Sequence, residues 1–251
     1  IEKNFKFVEN ESGYTIDVGK YYKESNVEIP ATYNGKPVTK ISDGMFENDT
    51  NITTITLSSN IAYIGNNAFK NCSNLKQIIF KSASTYSSAS ADAHSGNYAI
   101  TTLAVSSGKK DPNNNVAVIG ESAFYNCIAL ESIDVSSATT IGRNAFYGCS
   151  KLESVSLNDN LTKLADSTFN GCLKLNNLQL PSALTEIGAN CFVNCQELES
   201  IAIPAATTTV GANILNGCTG LKKIVLEDRE GDLFGFDKDW KSGIPDTVEL
   251  K

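Results

Sequence analysis

The chain has 251 residues, of which 41% are hydrophobic, and this is enough to bury a substantial core. Its 21 Lys and Arg against 28 Asp and Glu leave a formal net charge of -7, which repels polyanions, and the densest basic pairs are only Lys109–Lys110 and Lys222–Lys223. No apolar run approaches the roughly 18 residues of a membrane span. We therefore predict no nucleic-acid partner and no membrane span in this chain.

The N-terminal residues, 1–28, begin at Ile1 without an initiator Met or a signal-like segment. We interpret this as a trimmed form, so the lack of a signal does not favour the cytoplasm. The residues Phe5, Phe7 and Tyr14 are expected to cap the array that follows, because a terminal unit must cover the exposed core of its neighbour.

Residues 29–226 repeat a pattern every 22 or 23 residues. The cysteines show the period most directly, since Cys127, Cys149, Cys172, Cys195 and Cys218 are separated by 22, 23, 23 and 23 residues. Each cysteine lies three residues after a member of one column, which consists of Phe46, Phe69, Phe124, Phe146, Phe169, Phe192 and Leu215. Three further apolar columns, beginning at Ile52, Ile55 and Leu57, keep the same step. A fixed period of this length, found here in about seven units, predicts a solenoid.

Each unit is predicted to contain a short strand and a sharp turn. Segments such as Leu75–Phe80 have strand character, and stacked units would pair them into a parallel sheet. The residue before the cysteine column is only Gly or Asn, namely Asn48, Asn71, Asn126, Gly148, Gly171, Asn194 and Gly217. Because these residues adopt the left-handed conformation at low cost, we predict that this position ends a short helical turn, such as 67–70. The predicted fold class is α/β: a solenoid with a parallel strand face, short helical turns and terminal caps.

An insertion interrupts the array at residues 82–113, since Cys72 and Cys127 are 55 residues apart. It is rich in Ser, Ala and Asn, and residues 98–105 have the strand character of a projecting hairpin. It is either a tolerated loop, because lengthening a loop costs little, or a binding element. Asp92 and the single histidine, His94, could in principle ligate a metal, but a lone histidine in a polar loop is usually solvated. We predict no metal site and no cofactor.

The C-terminal residues, 227–251, hold the single tryptophan, Trp240, with Leu233, Phe234 and Phe236 nearby. We interpret these side chains as a lid on the last unit. The acidic stretch 227–232 lacks the spacing of a calcium loop and is interpreted as a surface turn.

The segment Ile141–Leu157 almost repeats the pattern Ile-Gly-x-x-Ala-Phe-x-x-Cys-x-x-Leu-x-x-Ile-x-Leu. This pattern resembles the BspA-like class of bacterial leucine-rich repeats, and the resemblance covers about residues 29–226. Residues 14–37 also look like the degenerate first unit of such proteins, whereas Asp49, Leu215 and the insertion depart from the pattern. The resemblance implies a leucine-rich-repeat solenoid in a secreted or cell-surface protein that takes part in adhesion and in binding host proteins.

The seven cysteines are interpreted as core residues. A metal ladder lacks the short Cys-x-x-Cys pairs of zinc sites, and equivalent side chains of a parallel stack approach each other poorly for a disulfide. Nucleophilic catalysis usually needs a neighbouring base, and the single histidine lies in the insertion. No nucleophile-elbow, dinucleotide or P-loop pattern is present, so the chain is not expected to be an enzyme.

The strand face is the remaining candidate site, because residues between the apolar columns are expected to point outward. The candidate ligand-binding residues are Lys76, Glu131, Asp134, Glu153, Asn176, Gln179 and Glu199. Glu131 and Glu153 are equivalents in adjacent units, so their carboxylates are expected about 5 Å apart. This acidic face either binds a basic partner or cation, or only keeps the protein soluble.

These sequence features bear on three functions. The favoured one is adhesion to an extracellular protein or glycoprotein of a host or a neighbouring cell, by an extracellular or cell-surface module. The second is a structural spacer within a larger surface protein. The third, an enzyme, has no nucleophile and base to support it. The oligomeric state cannot be read from the sequence.

Overall fold

The computed structural model describes residues 4–19, 22–81, 115–228, 233 and 235–251. The predicted insertion 82–113, with its hairpin and the Asp92–His94 pair, lies outside these residues. So do Phe234 and residues 229–232 of the acidic stretch.

The described residues form strands joined by turns. In chain order the strands are β1 (Phe5–Asn10), β2 (Gly13–Val18), β3 (Asn26–Glu28), β4 (Thr32–Tyr33), β5 (Lys36–Ile41), β6 (Thr54–Ser58), β7 (Tyr63–Ile64), β8 (Gln77–Lys81), β9 (Val118–Ile119), β10 (Ser132–Val135), β11 (Thr140–Ile141), β12 (Ser154–Leu157), β13 (Lys163–Leu164), β14 (Glu186–Ile187), β15 (Ser200–Ile203), β16 (Thr209–Val210), β17 (Lys223–Leu226) and β18 (Glu249–Leu250).

Two ladders of parallel strands run along the solenoid. The strand face carries the longer strands, in the order β3, β6, β8, β10, β12, the single bridging residue Asn177, β15, β17 and β18. Among the described residues, its pairing is interrupted between β8 and β10 and between Asn177 and β15. The second ladder carries β2 and β5 and then two-residue strands as far as β16. Equivalent residues of neighbouring units stand opposite each other, as Ile133 does to Val155 and Ile201 to Ile224. The parallel solenoid predicted from the repeat is therefore confirmed.

The array has more positions than the seven units counted in the sequence. Within the described residues the strand face has nine positions, because β3 and β18 extend it at the two ends. Both strands lie in segments that were predicted as caps. At the N-terminal end, the antiparallel pair β1–β2 continues the second ladder.

The predicted helical turns are wrong: none of the described residues is helical. The predicted left-handed column is confirmed, with φ between 56° and 78° at all seven residues from Asn48 to Gly217. A second left-handed column lies four residues earlier, at Gly44, Asn67, Ser122, Asn144, Ser167, Asn190 and Asn213. A residue with positive φ cannot continue a right-handed helix, so residues 67–70 form tight turns instead.

Backbone hydrogen bonds in these turns alternate between the unit and its neighbour. The Phe69 N–H donates to Ala123 O of the next unit at 2.8 Å, whereas the Lys70 N–H donates to Asn67 O within its own turn at 3.0 Å. We call this side of the solenoid, residues 42–49 and their equivalents, the turn face. Its bonds join the units just as the strand ladders do.

The core is a continuous stack of the predicted columns. Six phenylalanines, from Phe46 to Phe192, stack with ring centroids 5.3–5.9 Å apart. Tyr22 contacts the Phe46 ring at the N-terminal end, and buried Trp240 packs edge-on against Phe236 at the other end. Aromatic residues therefore close both ends of the core, as the sequence indicated for Trp240.

Candidate binding surface

The cysteines lie in the core, where each thiol of the main column donates a hydrogen bond. Cys149 Sγ lies 3.1 Å from Phe124 O of the preceding unit, and the same bond recurs from Cys72 to Cys218 at 3.0–3.3 Å. All seven cysteines are buried and free. Burial raises the pKa of Cys72 and of Cys149 to about 12, which keeps both thiols protonated.

Cys218 differs from the others of its column. Contact with the neighbouring Cys195 side chain lowers the pKa of Cys218, while burial raises the pKa of Cys195. Cys218 is nevertheless buried, so it offers no open nucleophilic site. The described residues hold no group of three or more His, Cys, Asp or Glu side chains arranged for a metal ion.

One column of charged and amide side chains runs along the strand face. Glu131, Glu153 and Asn176 are exposed at neighbouring positions, and the Glu153 N–H donates to Glu131 O at 2.8 Å. The two glutamates thus stand one unit apart, as predicted. Lys76, Gln179 and Glu199 are exposed as well, so six of the seven candidate residues are open to solvent.

Glu199 is not a free carboxylate. Its Oε1 lies 2.7 Å from Lys222 Nζ of the next unit, where both side chains are mostly exposed. Such a pair is weak in water, yet its opposite charges cancel, so that end of the column has no net charge. Glu131 and Glu153 take part in none of the ion pairs found among the described residues. The acidic centre of the strand face is therefore at these two residues.

The prediction that Asp134 points to solvent is wrong. Its side chain is only 4% exposed, and its Oδ1 accepts a hydrogen bond from the Ser136 N–H at 2.9 Å. The carboxylate therefore stabilises the end of strand β10, as Asp side chains do in Asx turns. Asp134 is a structural residue rather than part of the open surface.

The strand face is interrupted after Asn177. Leu178 and Leu180 occupy apolar columns but are only half-buried, and residues 178–180 form no strand. In the intact part, the Glu227 N–H donates to Ile203 O at 3.0 Å. The residues equivalent to Glu227 in the two preceding units are Pro204 and Pro181, which have no backbone N–H. The ladder thus loses one bond on each side of residues 178–180, which explains why no strand forms there.

A groove of about 570 Å³ lies at this interruption. Hydroxyl and amide side chains provide most of its polar lining, among them Ser154, Ser156, Asn158, Asn177 and Gln179. Two carboxylates, those of Asp159 and Glu227, also line it, and Leu157, Leu180 and Pro181 add apolar surface. Gln179 is the member of this lining that the sequence had marked as a candidate binding residue.

The turn face carries a second exposed feature that was missed in the sequence. Tyr125 and Tyr147 of adjacent units stack at 4.7 Å with an angle of 3° between their rings. Ile128 and Leu173, which directly follow turn-face segments of the chain, are 45% and 37% exposed. The signal was present, because Tyr125 and Tyr147 are separated by one repeat period.

Stacked parallel units with buried Phe and Leu columns define a leucine-rich-repeat solenoid, a fold that indicates a protein-interaction module. A model of the BspA type leucine rich repeat region matches residues 10–116 and 117–231 in six copies. The chain belongs to the BspA-type leucine-rich repeat family. No match was found among curated protein sequences. No helix in the described residues has the length and apolar character needed to cross a membrane.

The chain is similar to a number of solved structures, among them the following two. A leucine rich cell surface protein from Faecalibacterium prausnitzii has 28% sequence identity and a TM-score of 0.70, and the match covers 88% of this chain and 52% of that one. The chain thus spans about half the length of that relative. The leucine rich repeat protein of T. pallidum has 17% identity and a TM-score of 0.55, with 100% and 84% covered, and supports the fold alone.

Proposed function

We propose that this chain is the binding segment of a secreted or cell-surface protein and that it attaches to an extracellular protein or glycoprotein. The main support is the strand face, where Glu131, Glu153 and Asn176 are exposed in one column beside a polar groove. The description of the Faecalibacterium prausnitzii relative as a cell surface protein is consistent with the location.

The negative charge of this column favours a partner with a basic surface. Two exposed carboxylates about 5 Å apart repel each other by roughly 1 kcal/mol in water. A basic partner surface removes this repulsion and gains two attractive contacts, which mainly accelerates association and fixes orientation. The partner surface is therefore positively charged where it meets Glu131 and Glu153.

The experiment measures binding of the chain to immobilised extracellular-matrix proteins, plasma proteins and mucin at physiological salt. The test variant is Glu131→Gln/Glu153→Gln, which leaves out Asp134 because that residue is buried. The matched control, Glu11→Gln/Glu24→Gln, changes the net charge equally at exposed residues outside the strand face. A deletion of residues 82–113 tests the insertion.

Saturable binding that the test variant weakens and the control does not supports the proposal. Binding that only the deletion abolishes assigns the site to the insertion and contradicts the strand-face site. If the folded chain binds no member of the panel, the binding function is contradicted and the spacer function is favoured.

A further inference from the structure

The groove after Asn177 differs from the rest of the strand face in shape. Strands β15 and β17 pair directly over four residues, and apart from this groove the pairing along the strand face is interrupted between β8 and β10, on either side of the insertion. Between β12 and β15 the only pairing is the Ser154–Asn177 bridge, within the described residues. The two prolines make this opening permanent, because no side-chain movement can provide the missing N–H groups.

The side chains that line the groove favour a ligand that donates hydrogen bonds. Its charged members are Asp159 and Glu227, and Lys and Arg are absent from the lining among the described residues. Both carboxylates are exposed and accept hydrogen bonds only. Anionic ligands are therefore repelled, and a cationic group is attracted.

One buried polar atom belongs to a residue that lines the groove. Ser136 lines the groove, and within the described residues its buried Oγ has no hydrogen-bond partner. An unsatisfied buried hydroxyl costs about 1–3 kcal/mol and is uncommon in folded proteins.

We propose that this groove binds a Lys or Arg side chain on an extended segment of the partner protein. This inference rests on the proposed function and names the part of the partner that the strand face recognises. The cation is held at Asp159, and a second basic side chain of the segment pairs with Glu227, which lies three units, or about 14 Å, further along the strand face. The serine and amide side chains bind the polypeptide backbone between them. Leu157 and Leu180 contact the aliphatic part of the Lys or Arg side chain, which packs well on apolar surface.

The first test uses a fluorescent eight-residue peptide of alternating Lys and Ser with the full chain, followed by fluorescence anisotropy. Asp159→Asn/Glu227→Gln should weaken binding about tenfold, since two exposed charge contacts are lost. The control Glu11→Gln/Glu24→Gln has the same net charge and should change binding less than twofold. Equal loss in both variants would show only a general charge effect and would overturn the site.

The second test fills the groove without changing its charge. Gln179→Trp should abolish peptide binding, whereas Ile79→Trp, at the equivalent position three units earlier and outside the groove, should retain it. Equal binding of an alternating Glu and Ser peptide, or of maltohexaose in its place, would overturn the ligand class. If a panel protein binds normally to Asp159→Asn/Glu227→Gln, the groove inference fails while the proposed function stands; if neither protein nor peptide binds the intact chain, both fail.

Discussion

Truncation of Phe146 tests the packing of the central column. The ring is fully buried and lies between Phe124, at 5.4 Å and 2°, and Phe169, at 5.5 Å and 5°. Phe→Ala changes in protein cores cost about 3–5 kcal/mol. Two aromatic neighbours are lost at once, each worth roughly 0.5–1.5 kcal/mol beyond area, so we expect Phe146→Ala to lie in the upper half of that range.

The assay is urea unfolding followed by far-UV circular dichroism, with Phe146→Leu as the control. Leu215 already occupies the same column, so leucine at 146 should cost less than half as much as alanine. Repeat proteins unfold unit by unit, and loss of a central unit should also broaden the transition. A cost of about 1 kcal/mol or less for Phe146→Ala would refute a tightly stacked column.

Three further predictions concern stability. Burial raises the pKa of Cys149 from 9.0 to about 12. The contribution of the protonated thiol to the free energy of unfolding is therefore complete below pH 9 and should be lost at about 1.4 kcal/mol per pH unit above it. Unfolding midpoints from pH 8 to 11 should fall more steeply in the unmodified chain than in Cys149→Ala, and parallel slopes would contradict this. Gly142→Ala places a Cβ 2.6 Å from Glu121 N and should cost about 1–3 kcal/mol in thermal unfolding, whereas Ala165→Gly, at the equivalent position, should change stability by less than about 1 kcal/mol. Asp134→Ala should cost about 1–2 kcal/mol, because a buried hydrogen bond is lost, and an unchanged melting temperature would show that the carboxylate is not structural.

The core was predictable because a repeat places the same chemical requirement at the same position of every unit. Equivalent positions of several units can therefore be compared within one sequence. This comparison identified the Phe column and the left-handed residues from Asn48 to Gly217. The second left-handed column was missed because two of its members, Ser122 and Ser167, are of a residue type that seldom adopts positive φ, although its other five members are Gly or Asn. That column is also why the turns are not helical.

The ends of the array were recognised only in part from the sequence, where residues 14–37 resemble a degenerate first unit but the C-terminal residues were interpreted only as a lid. β3 and β18 pair with their neighbours through backbone atoms and lack the Phe and Cys columns that mark the central units. Backbone pairing requires no particular side chain, so such units leave little trace in the sequence.

The candidate surface was predicted in part. Alternation along the strands placed Glu131 and Glu153 outside, but it failed for Asp134, whose side chain folds back onto the N–H of Ser136. The groove was missed although its cause was visible, because Pro181 and Pro204 follow strand positions at which proline removes a ladder bond.

The most direct test of the strand-face site is hydrogen–deuterium exchange of the chain with and without a panel protein that it binds. The account predicts slower exchange in peptides that cover residues 131–136, 153–160 and 176–182, with little change on the turn face. Slower exchange confined to residues 122–128 and 144–150, around the stacked Tyr125 and Tyr147, would place the binding surface on the turn face and contradict the account.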